Sequence, residues 1–374
     1  MAKRLVDDYG EARVVALSQR IAAVYPAFDP AAFQRQAMDG FEALGLMDRG
    51  RQLSRCLHAQ LPADPVHALT LLRQSWAQLT PSDEPSGFNA FQFLPDSFYI
   101  ADYALDWPAE ALETQYFLTQ RFTSEFCLRP FIQRWPVEVY AKLNAWVEDE
   151  NEHVRRLVSE ATRPRLPWAS RLPVLIEDPA TPVRACLEAL RDDPSAYVRR
   201  SVANHLNDWS KTHPESMLTL VEDWWSDAPP ARQQLLRHAL RSLLKSAHPR
   251  ALALLGHEPD ADLELQHASL TPQTCAANTC LTLSATLHAR QATPTAPLVY
   301  LVLSFKRRKP GAFYRKPFRL ACPPLAANQT LTLTYQHRFK PLTTRRHYAG
   351  EQQAALLING QTYPLGSFWL AEDF

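Results

Sequence analysis

The sequence is poor in glycine, and this scarcity excludes several classes of binding site. Only 10 of its 374 residues are glycine, which is below half of the usual share of ~7%. No glycine lies between Gly87 and Gly256. A Gly-rich phosphate loop of the Rossmann, P-loop or kinase type is therefore excluded from this stretch, and neither GxGxxG nor GxxxxGK occurs elsewhere. Because the stretch also contains many prolines, we expect helices that end at proline.

Metal-binding cysteine patterns and long apolar runs are also lacking. The six cysteines form no CxxC pair, and no Cys/His spacing is that of a zinc finger. Cys275 and Cys280 are close enough for a disulfide or a metal site, but buried or idle thiols are the simpler interpretation. The first residues form no apolar signal segment, and the longest apolar run, 298–303, is too short for a bilayer. We therefore expect a soluble protein of a reducing compartment that uses no metal or other cofactor and binds no membrane.

The net charge of +1 conceals an asymmetry between the two parts of the chain. Residues 1–269 carry 28 Lys and Arg against 36 Asp and Glu, whereas residues 270–374 carry 12 against 3. An acidic module is thus joined to a basic one. A basic module of this kind favours a polyanionic partner.

Up to about residue 260 the apolar residues recur with the period of a helix. Amphipathic patterns predict helices over 11–24, 29–44, 46–60 and 65–79, and a loop or short turn follows over 80–99. Further helices are predicted over 109–133, 136–147, 151–162, 181–191, 195–211, 214–225, 230–246 and 248–255.

An internal repeat is visible within this helical part. The segment 149–156 (DENEHVRR) returns 44 residues later as 193–200 (DPSAYVRR), and a third copy begins at Asp178. In each copy Asp can cap a helix whose buried stripe begins at Val, and in the two copies that contain Pro it fits the first turn. A period near 44 residues fits two-helix HEAT-type repeats, which stack into a curved solenoid with a concave face. His213-Pro214 and His248-Pro249 indicate another helix-pair junction.

After residue 270 the pattern changes to that of strands. Residues 280–287 and 331–335 alternate between apolar and polar, whereas 299–305 and 354–358 are apolar strands bounded by turns. Asn359-Gly360 is the strongest hairpin signal. About seven short strands indicate a small sandwich of the immunoglobulin type.

These patterns together predict a mainly α protein with two domains. A HEAT-like helical-repeat solenoid occupies residues 1–265, and an all-β immunoglobulin-like sandwich occupies residues 270–374.

Polar side chains line up on the predicted repeat helices. In the earlier repeat Arg156 and Glu160 are i, i+4 neighbours, equivalent to Arg200 and Asn204 in the later one. A solvated, salt-bridged helix face would explain the pattern without any function, at about 0.2–0.5 kcal/mol per pair. The polar face of the later helix consists of Arg200, Asn204, Asp208 and Lys211.

Two further features can be interpreted in more than one way. The segment 163–168 (RPRLPW) places two Arg and a Trp on a proline-stiffened loop, which could clamp phosphate and stack a base. It could equally be an inter-helix loop whose Trp168 caps the core. Glu125 has Arg121 and Arg129 four residues away on either side, and a surface ion-pair ladder would explain that arrangement.

In these same segments the sequence resembles the AlkC-type DNA alkylation repair glycosylases. The matching text begins with 121–131 (RFTSEFCLRPF), continues through 154–168 (VRRLVSEATRPRLPW) and is completed by 193–214 (DPSAYVRRSVANHLNDWSKTHP). Residues 339–348 (FKPLTTRRHY) are similar to the immunoglobulin-like tail found in part of that family. The resemblance covers nearly the whole chain.

The resemblance implies a HEAT-like solenoid that holds duplex DNA on its concave face. It implies hydrolysis of the N-glycosidic bond of a cationic alkylated base, such as N3-methyladenine or N3-methylcytosine, without deep base flipping. Carried over residue by residue, Asp208 or Glu160 would activate water, and no Lys nucleophile is needed. The implied catalytic residues are Glu125, Glu160, Trp168 and Asp208, and the implied DNA-binding residues of the solenoid are Arg156, Arg163, Arg165, Arg200 and Lys211.

The basic β-domain gains a role in this interpretation. The segment 306–309 (KRRK) is a strand-end turn with four successive cations, and Arg345 and Arg346 lie in a second loop. If both loops lie at one end of the sandwich, Lys306, Arg307, Arg308, Arg345 and Arg346 could hold the duplex from the opposite groove. A solvated loop that keeps the domain soluble is the alternative.

The sequence therefore predicts a monofunctional DNA glycosylase of base excision repair. We expect a monomer in a bacterial cytoplasm, associated with the nucleoid when bound to DNA that contains alkylated bases. One alternative is a non-catalytic HEAT-repeat protein that binds damaged or branched DNA. Another is a protein-interaction scaffold, which the basic tail does not favour.

Overall fold

A computed structural model of the chain describes residues 5–79, 87–257, 262–293, 295–309, 311–341 and 346–374. Arg345 and the first part of the predicted loop, 80–86, lie outside the described residues. Within them sixteen α-helices precede the first strand: α1 Glu11–Ala22, α2 Pro30–Met38, α3 Leu46–Gln60, α4 Pro65–Ala77, α5 Leu94–Tyr103, α6 Pro108–Thr119, α7 Glu125–Arg134, α8 Pro136–Trp146, α9 Glu152–Ala161, α10 Pro173–Glu177, α11 Arg184–Leu190, α12 Ala196–Trp209, α13 Pro214–Trp225, α14 Pro230–Ala239, α15 Arg241–Lys245 and α16 Pro249–Leu254.

The chain forms two compact units. One comprises the chain up to His213 together with Asp227–Ala239, and the other comprises Pro214–Ser226 and Leu240–Phe374. Helices α13, α15 and α16 thus belong to the same unit as the strands. The division of function between residues 1–265 and 270–374 stays a prediction.

Capping residues and prolines begin several helices, but the predicted caps of α9 and α12 were wrong, because their N-caps are Asn151 and Ser195 and not Asp149 and Asp193. The Asp29 and Asp64 carboxylates accept hydrogen bonds from first-turn amides of α2 and α4, and a proline follows each of them. The prolines of the two His-Pro pairs are the first residues of α13 and α16. Close packing explains the glycine inside α3, because a Cβ at Gly50 would lie 2.8 Å from Leu94 Cδ2 of α5.

Four helices or helix pairs differ from the prediction. The predicted loop over 80–99 contains the start of α5, whose residues 94–100 are all buried and therefore show no amphipathic period. The predicted helix over 109–133 is two helices, α6 and α7, because the chain turns at 120–124. Similarly, 230–246 divides into α14 and α15, and the short helix α10 was not predicted.

The 44-residue repeat is a repeat of contacts as well as of sequence. Arg155 Nη1 donates to the carbonyls of Asp149 and Glu150, and Arg199 Nη1 donates to those of Asp193 and Pro194. The amides of Asn151 and Ser195 each donate to the Asp two residues earlier, over 2.8 Å. Helices α9 and α12, which follow these turns, pack against each other. The predicted HEAT-like helical repeat is therefore confirmed.

The C-terminal strands form a two-sheet sandwich, which confirms the predicted immunoglobulin-like class. One sheet has the order β1-β3-β6 and the other has the order β2-β8-β7-β4-β5. Asn359 and Gly360 form the two-residue turn between β7 and β8 with positive φ at both positions, as a type I′ hairpin requires. The strands are β1 Leu263–Thr271, β2 Thr274–Cys275, β3 Cys280–Ala289, β4 Val299–Lys306, β5 Phe313–Leu320, β6 Thr330–Arg338, β7 Gly350–Ile358 and β8 Gln361–Leu370.

Neither a disulfide nor a membrane-spanning helix occurs in the described part of the chain. All six cysteines are free, and Cys275 is buried in the sandwich core. No described helix combines the length and the apolar character needed to cross a bilayer. No cluster of His, Cys, Asp or Glu among the described residues is arranged to hold a metal ion.

Candidate active site

The helical unit contains a cavity of about 710 Å³, bounded by α7, α9, α12 and the 163–168 loop. It brings together five of the residues that the resemblance singled out: Glu125, Arg156, Glu160, Arg163 and Trp168. An aromatic and apolar wall faces the polar one and consists of Phe91, Phe122, Phe126, Leu166, Pro167 and Trp168.

Glu125 occupies the first turn of α7 and is held from two sides. Arg156 Nη1 donates to its Oε2 over 2.5 Å and to Thr123 Oγ1 over 2.8 Å, and the Thr123 hydroxyl also donates to this carboxylate. The structure gives the other oxygen of Glu125, Oε1, no hydrogen-bond partner among the described residues. One carboxylate oxygen in the cavity wall is therefore left for a ligand or a water.

The pKa of Glu125 is raised above its ordinary value because the carboxyl group is buried. The charge of Arg156 opposes this shift, while that of the nearby Glu160 adds to it. For Arg156, burial lowers the guanidinium pKa, but Glu125 and Glu160 more than compensate, so that its pKa is raised overall. The site thus contains a carboxyl group whose proton affinity is higher than usual beside a permanently charged partner.

Glu160 and Asp208 have their oxygens occupied. Arg163 Nη1 donates to Glu160 Oε1 over 2.6 Å, and the Ser201 hydroxyl donates to Glu160 Oε2 over 2.7 Å. Asp208 Oδ2 accepts from Arg163 Nε at 2.9 Å, and its Oδ1 accepts from Lys211 Nζ at 2.8 Å. Asp208 is 1% exposed and does not line the cavity. The prediction that one of these two carboxylates activates water stays a prediction, but both are tied by ion pairs.

The ion pairs join into one alternating chain of acids and bases. Glu125 pairs with Arg156, and Arg156 pairs in turn with Glu160, where Nη2 lies 3.5 Å from Oε1. Because three carboxylates alternate with three cations, the chain is neutral as a whole, and each charge is fixed by its neighbours. Its members in order are Glu125, Arg156, Glu160, Arg163, Asp208 and Lys211.

Trp168 projects from the loop at the rim of the cavity. Its side chain is 67% exposed, so the interpretation of Trp168 as a cap of the core was wrong. Its φ of 63° is in the left-handed region, which a bulky residue rarely adopts. Phe91 lies 6.4 Å from it, ring centroid to ring centroid, and Phe91 also packs edge-on against Phe122. The loop therefore presents a largely exposed indole at the cavity that Glu125 and Glu160 also line.

Two predicted phosphate ligands have other partners in the structure. Arg156 and Arg163 are the central cations of the ion-pair chain, and Arg163 is buried. Arg165 is half-buried, and its Nε has no hydrogen-bond partner. Arg200 is exposed and lines a second groove of about 90 Å³ with α14, one helix pair further along. The phosphate-binding role of all four stays a prediction.

The predicted cations of the β-domain are exposed where the structure describes them. Lys306, Arg307 and Arg308 are exposed at the end of β4. Lys306 Nζ donates to the Ala349 carbonyl. Nη2 of the exposed Arg346 lies 3.6 Å from Asp373 Oδ2. Arg345 lies outside the described residues. The basic turn is thus available to solvent, as a DNA contact requires.

Several cavity residues were missed by the sequence analysis. Thr123 holds Glu125, Phe91 faces Trp168, and Tyr197 lies 5.4 Å below the Arg156 guanidinium. His153 and Tyr197 occupy equivalent positions of the repeat, and their rings are in edge contact at 5.6 Å. Repeat equivalence could have identified this pair. The predicted ladder of Arg121, Glu125 and Arg129 was wrong, because Glu125 pairs with α9 instead.

Comparisons with known proteins identify the family of the chain. The family model described as "Uncharacterised protein YhaZ, C-terminal Ig-like domain" matches residues 264–372. The chain is 36% identical to the uncharacterized protein YhaZ of Bacillus subtilis over 96% of each sequence. It is 34% identical to the solved structure of Pseudomonas fluorescens alkylpurine DNA glycosylase AlkC bound to DNA containing an abasic site analog, with a TM-score of 0.89 and coverage of 98% of this chain and 99% of that one. The chain therefore belongs to the family that contains YhaZ and the DNA glycosylase AlkC, as the sequence resemblance implied.

Proposed function

We propose that this protein is a monofunctional DNA glycosylase that hydrolyses the N-glycosidic bond of cationic alkylated bases in duplex DNA. The observation that carries the proposal is the cavity in which a partly free carboxylate, Glu125, lies next to an exposed indole, Trp168. The 34% identity to AlkC, whose structure contains DNA with an abasic site analog, supports the same reaction class. N3-methyladenine and N3-methylcytosine are the substrates that we propose.

The chemistry needs little beyond a fixed negative charge and a positioned water. The bond between C1′ and the base nitrogen breaks with its electrons going to the base, so that a cationic base leaves as a neutral molecule. The sugar becomes an oxocarbenium ion, which carboxylates stabilise. Water then adds to C1′ and loses a proton. We assign that proton to Glu125 in place of the expected Glu160 or Asp208, because the oxygens of those two are occupied. Glu125 has a raised pKa, which makes it a better base, and its Oε1 has no hydrogen-bond partner among the described residues.

Selectivity for cationic bases follows from the aromatic wall. A positively charged base over the Trp168 indole gains cation–π attraction of about 0.5–2 kcal/mol that a neutral base does not. Because the ring is exposed at the cavity rim, a base can contact it without entering a deep pocket. We therefore propose that the lesion is reached without deep base flipping.

We propose that cations outside the ion-pair chain contact the DNA backbone. In the helical unit we assign this role to the half-buried Arg165 and the exposed Arg200, and in the β-domain the turn 306–309 supplies further phosphate contacts. Lys211 keeps its ion pair with Asp208, so we do not assign it the role of a Schiff-base nucleophile. The product is thus an intact strand with an abasic site.

The test is the release of free base from methylated duplex DNA by the wild-type protein and by Glu125→Gln, Glu160→Gln and Asp208→Asn. We expect N3-methyladenine from the wild type and losses of about 100-fold or more in all three variants, because each removes a fixed charge from the chain. DNA affinity should be kept. Glu188→Gln, which changes a half-buried carboxylate whose ion-pair partner among the described residues is Arg184, is the matched control and should retain full activity.

Two results would overturn the proposal. DNA binding by the wild type without base release would identify a non-catalytic reader of damaged DNA. Full activity of Glu125→Gln together with inactive Asp208→Asn would transfer the role of the base away from Glu125.

A further inference from the structure

We propose that Arg129 is a positioning residue that fixes the Trp168 loop against the helix that carries Glu125. The inference rests on the proposed function, since it concerns the two groups between which the base would lie. Arg129 is one turn after Glu125 on α7, so its side chain and that of Glu125 leave the same helix on the same side. It does not line the cavity, and it contacts the ion-pair chain through the backbone carbonyl of Arg163.

The Arg129 guanidinium holds both ends of the loop. Its Nη1 donates to the carbonyls of Ala161 and Arg163 over 2.8 and 2.9 Å, at the start of the loop. Its Nε donates to the Ser170 carbonyl over 2.8 Å, at the loop's far end. The side chain is only 1% exposed. A single planar group therefore closes the segment that carries Trp168.

The loop needs such an external restraint. Trp168 has a left-handed φ of 63° although it is not glycine, and its side chain is exposed rather than packed in the core. A strained backbone conformation persists only where the surrounding structure imposes it. Hydrogen bonds from Arg129 on either side of Trp168 supply that restraint. Burial lowers the pKa of Arg129 to about 10, so the guanidinium remains charged near neutral pH and its hydrogen bonds to carbonyls remain charge-assisted.

A second buried arginine provides a matched control. Arg49 is 5% exposed and donates to the carbonyls of Leu44, Val6, Tyr9 and Glu42, over 2.7 to 3.1 Å. It therefore resembles Arg129 in burial and in chemistry, but it holds segments near the N-terminus that do not line the cavity. Loss of either arginine should lower thermal stability, whereas only loss of Arg129 should act through Trp168.

The first arm is a double-mutant cycle on single-turnover base release. R129K, R129M and R49K are compared in the wild-type background and in W168A. We expect R129K and R129M to slow base release by about 10-fold or more in the wild-type background, because a misplaced group loses its near-attack geometry. In W168A they should slow it by less than about 3-fold, since the positioned ring is already absent. R49K should change the rate equally in both backgrounds.

The second arm needs no activity. The protein is labelled with 5-fluorotryptophan, and the ¹⁹F resonance of Trp168 is assigned from its absence in W168F. We expect R129K to shift or broaden this resonance, while R49K leaves it unchanged. If R129M does not fold, R129K is the variant used in both the kinetic and the ¹⁹F measurements.

Equal rate losses from R129K with and without Trp168, or an unchanged ¹⁹F resonance, would overturn the inference. The absence of base release by the wild type would instead refute the proposed function, and the ¹⁹F arm would still decide whether Arg129 positions the loop.

Discussion

The imidazole of His205 on α12 is fully buried and contacts α9 at Ser159. Its Nδ1 lies 3.0 Å from the Ser159 carbonyl, to which the neutral ring donates, and its Nε2 has no hydrogen-bond partner among the described residues. Burial lowers the pKa of His205 to about 4. The folded protein therefore needs this ring neutral, although the same ring titrates near 6.5 in an unfolded chain.

This residue makes stability depend on pH in a predictable direction. The unfolded chain takes up the proton more readily, so the contribution of His205 is fully present above pH 6.5 and is lost as the pH falls toward 4. Between pH 6.5 and 5 the loss is about 2 kcal/mol. We expect His205→Asn, which keeps a donor for Ser159, to show a flatter dependence of unfolding free energy on pH than the wild type. Urea unfolding at pH 7 and pH 5 measures this difference.

The exposed His267 provides the control for this experiment. His267→Gln should follow the wild-type dependence on pH. A wild-type stability that does not fall between pH 7 and pH 5, or an equally steep fall in His205→Asn, would show that His205 is not the responsible group.

At the scale of secondary-structure elements, consecutive repeats are joined by an ion pair. Asp193 caps the turn before α12 by accepting from the Ser195 amide. Its carboxylate also accepts from Arg155 Nε at 2.6 Å and from Nη2 at 3.1 Å, and Arg155 belongs to the preceding repeat. The equivalent Asp149 accepts from the Asn151 amide. One aspartate of the repeat thus fixes the position of α9 relative to α12.

Asp193 has an ion pair with Arg155 in addition to its capping contact. The same Asp→Asn substitution should therefore cost more stability at Asp193 than at the equivalent Asp149. Asp193→Asn leaves the half-buried Arg155 without its charged partner, so we expect a loss of about 2–4 kcal/mol. Asp149→Asn keeps an acceptor for the capping amide, so we expect a loss of about 1 kcal/mol or less. Chemical denaturation followed by circular dichroism measures both. Equal losses would show that the Arg155 ion pair does not join the repeats.

The same elements show what the sequence could and could not predict. Capping signals act locally, so the starts of α9 and α12 were predicted to within one residue, but their N-caps are Asn151 and Ser195 and not the predicted Asp149 and Asp193. Helix α5 was missed because it is buried on all sides and carries no amphipathic pattern. In the site, the residue types were predicted, but the pairing of Glu125 with Arg156 on another helix could not be, since i, i+4 spacing favoured Arg121 and Arg129. Contacts between distant segments depend on packing, which periodicity does not report.

At the scale of the whole molecule, charge is divided between the two parts of the sequence. Residues 265–350 contain no Asp or Glu, although they contain Arg and Lys. In the helical part, by contrast, many cations are engaged by carboxylates, as in the chain from Glu125 to Lys211. The cations that can contribute to DNA affinity through counterion release are therefore concentrated in the β-domain.

Neutralising the basic turn should change affinity and leave the chemistry intact. Each phosphate contact contributes about 0.9 to the slope of log affinity against log salt concentration, so replacing Arg307, Arg308 and Lys309 by Gln should reduce this slope by up to about 3. The slope is determined from the affinity for a duplex with an abasic site analogue. This affinity is measured by fluorescence anisotropy at salt concentrations from about 50 to 300 mM. Because Glu125 is untouched, base release from saturated DNA should keep its single-turnover rate. The control replaces two exposed cations of the helical unit, Arg35 and Lys142, and should leave the slope unchanged. An unchanged slope in the triple variant would mean that the turn makes no phosphate contacts, and the cations of the β-domain would then serve another purpose than holding DNA.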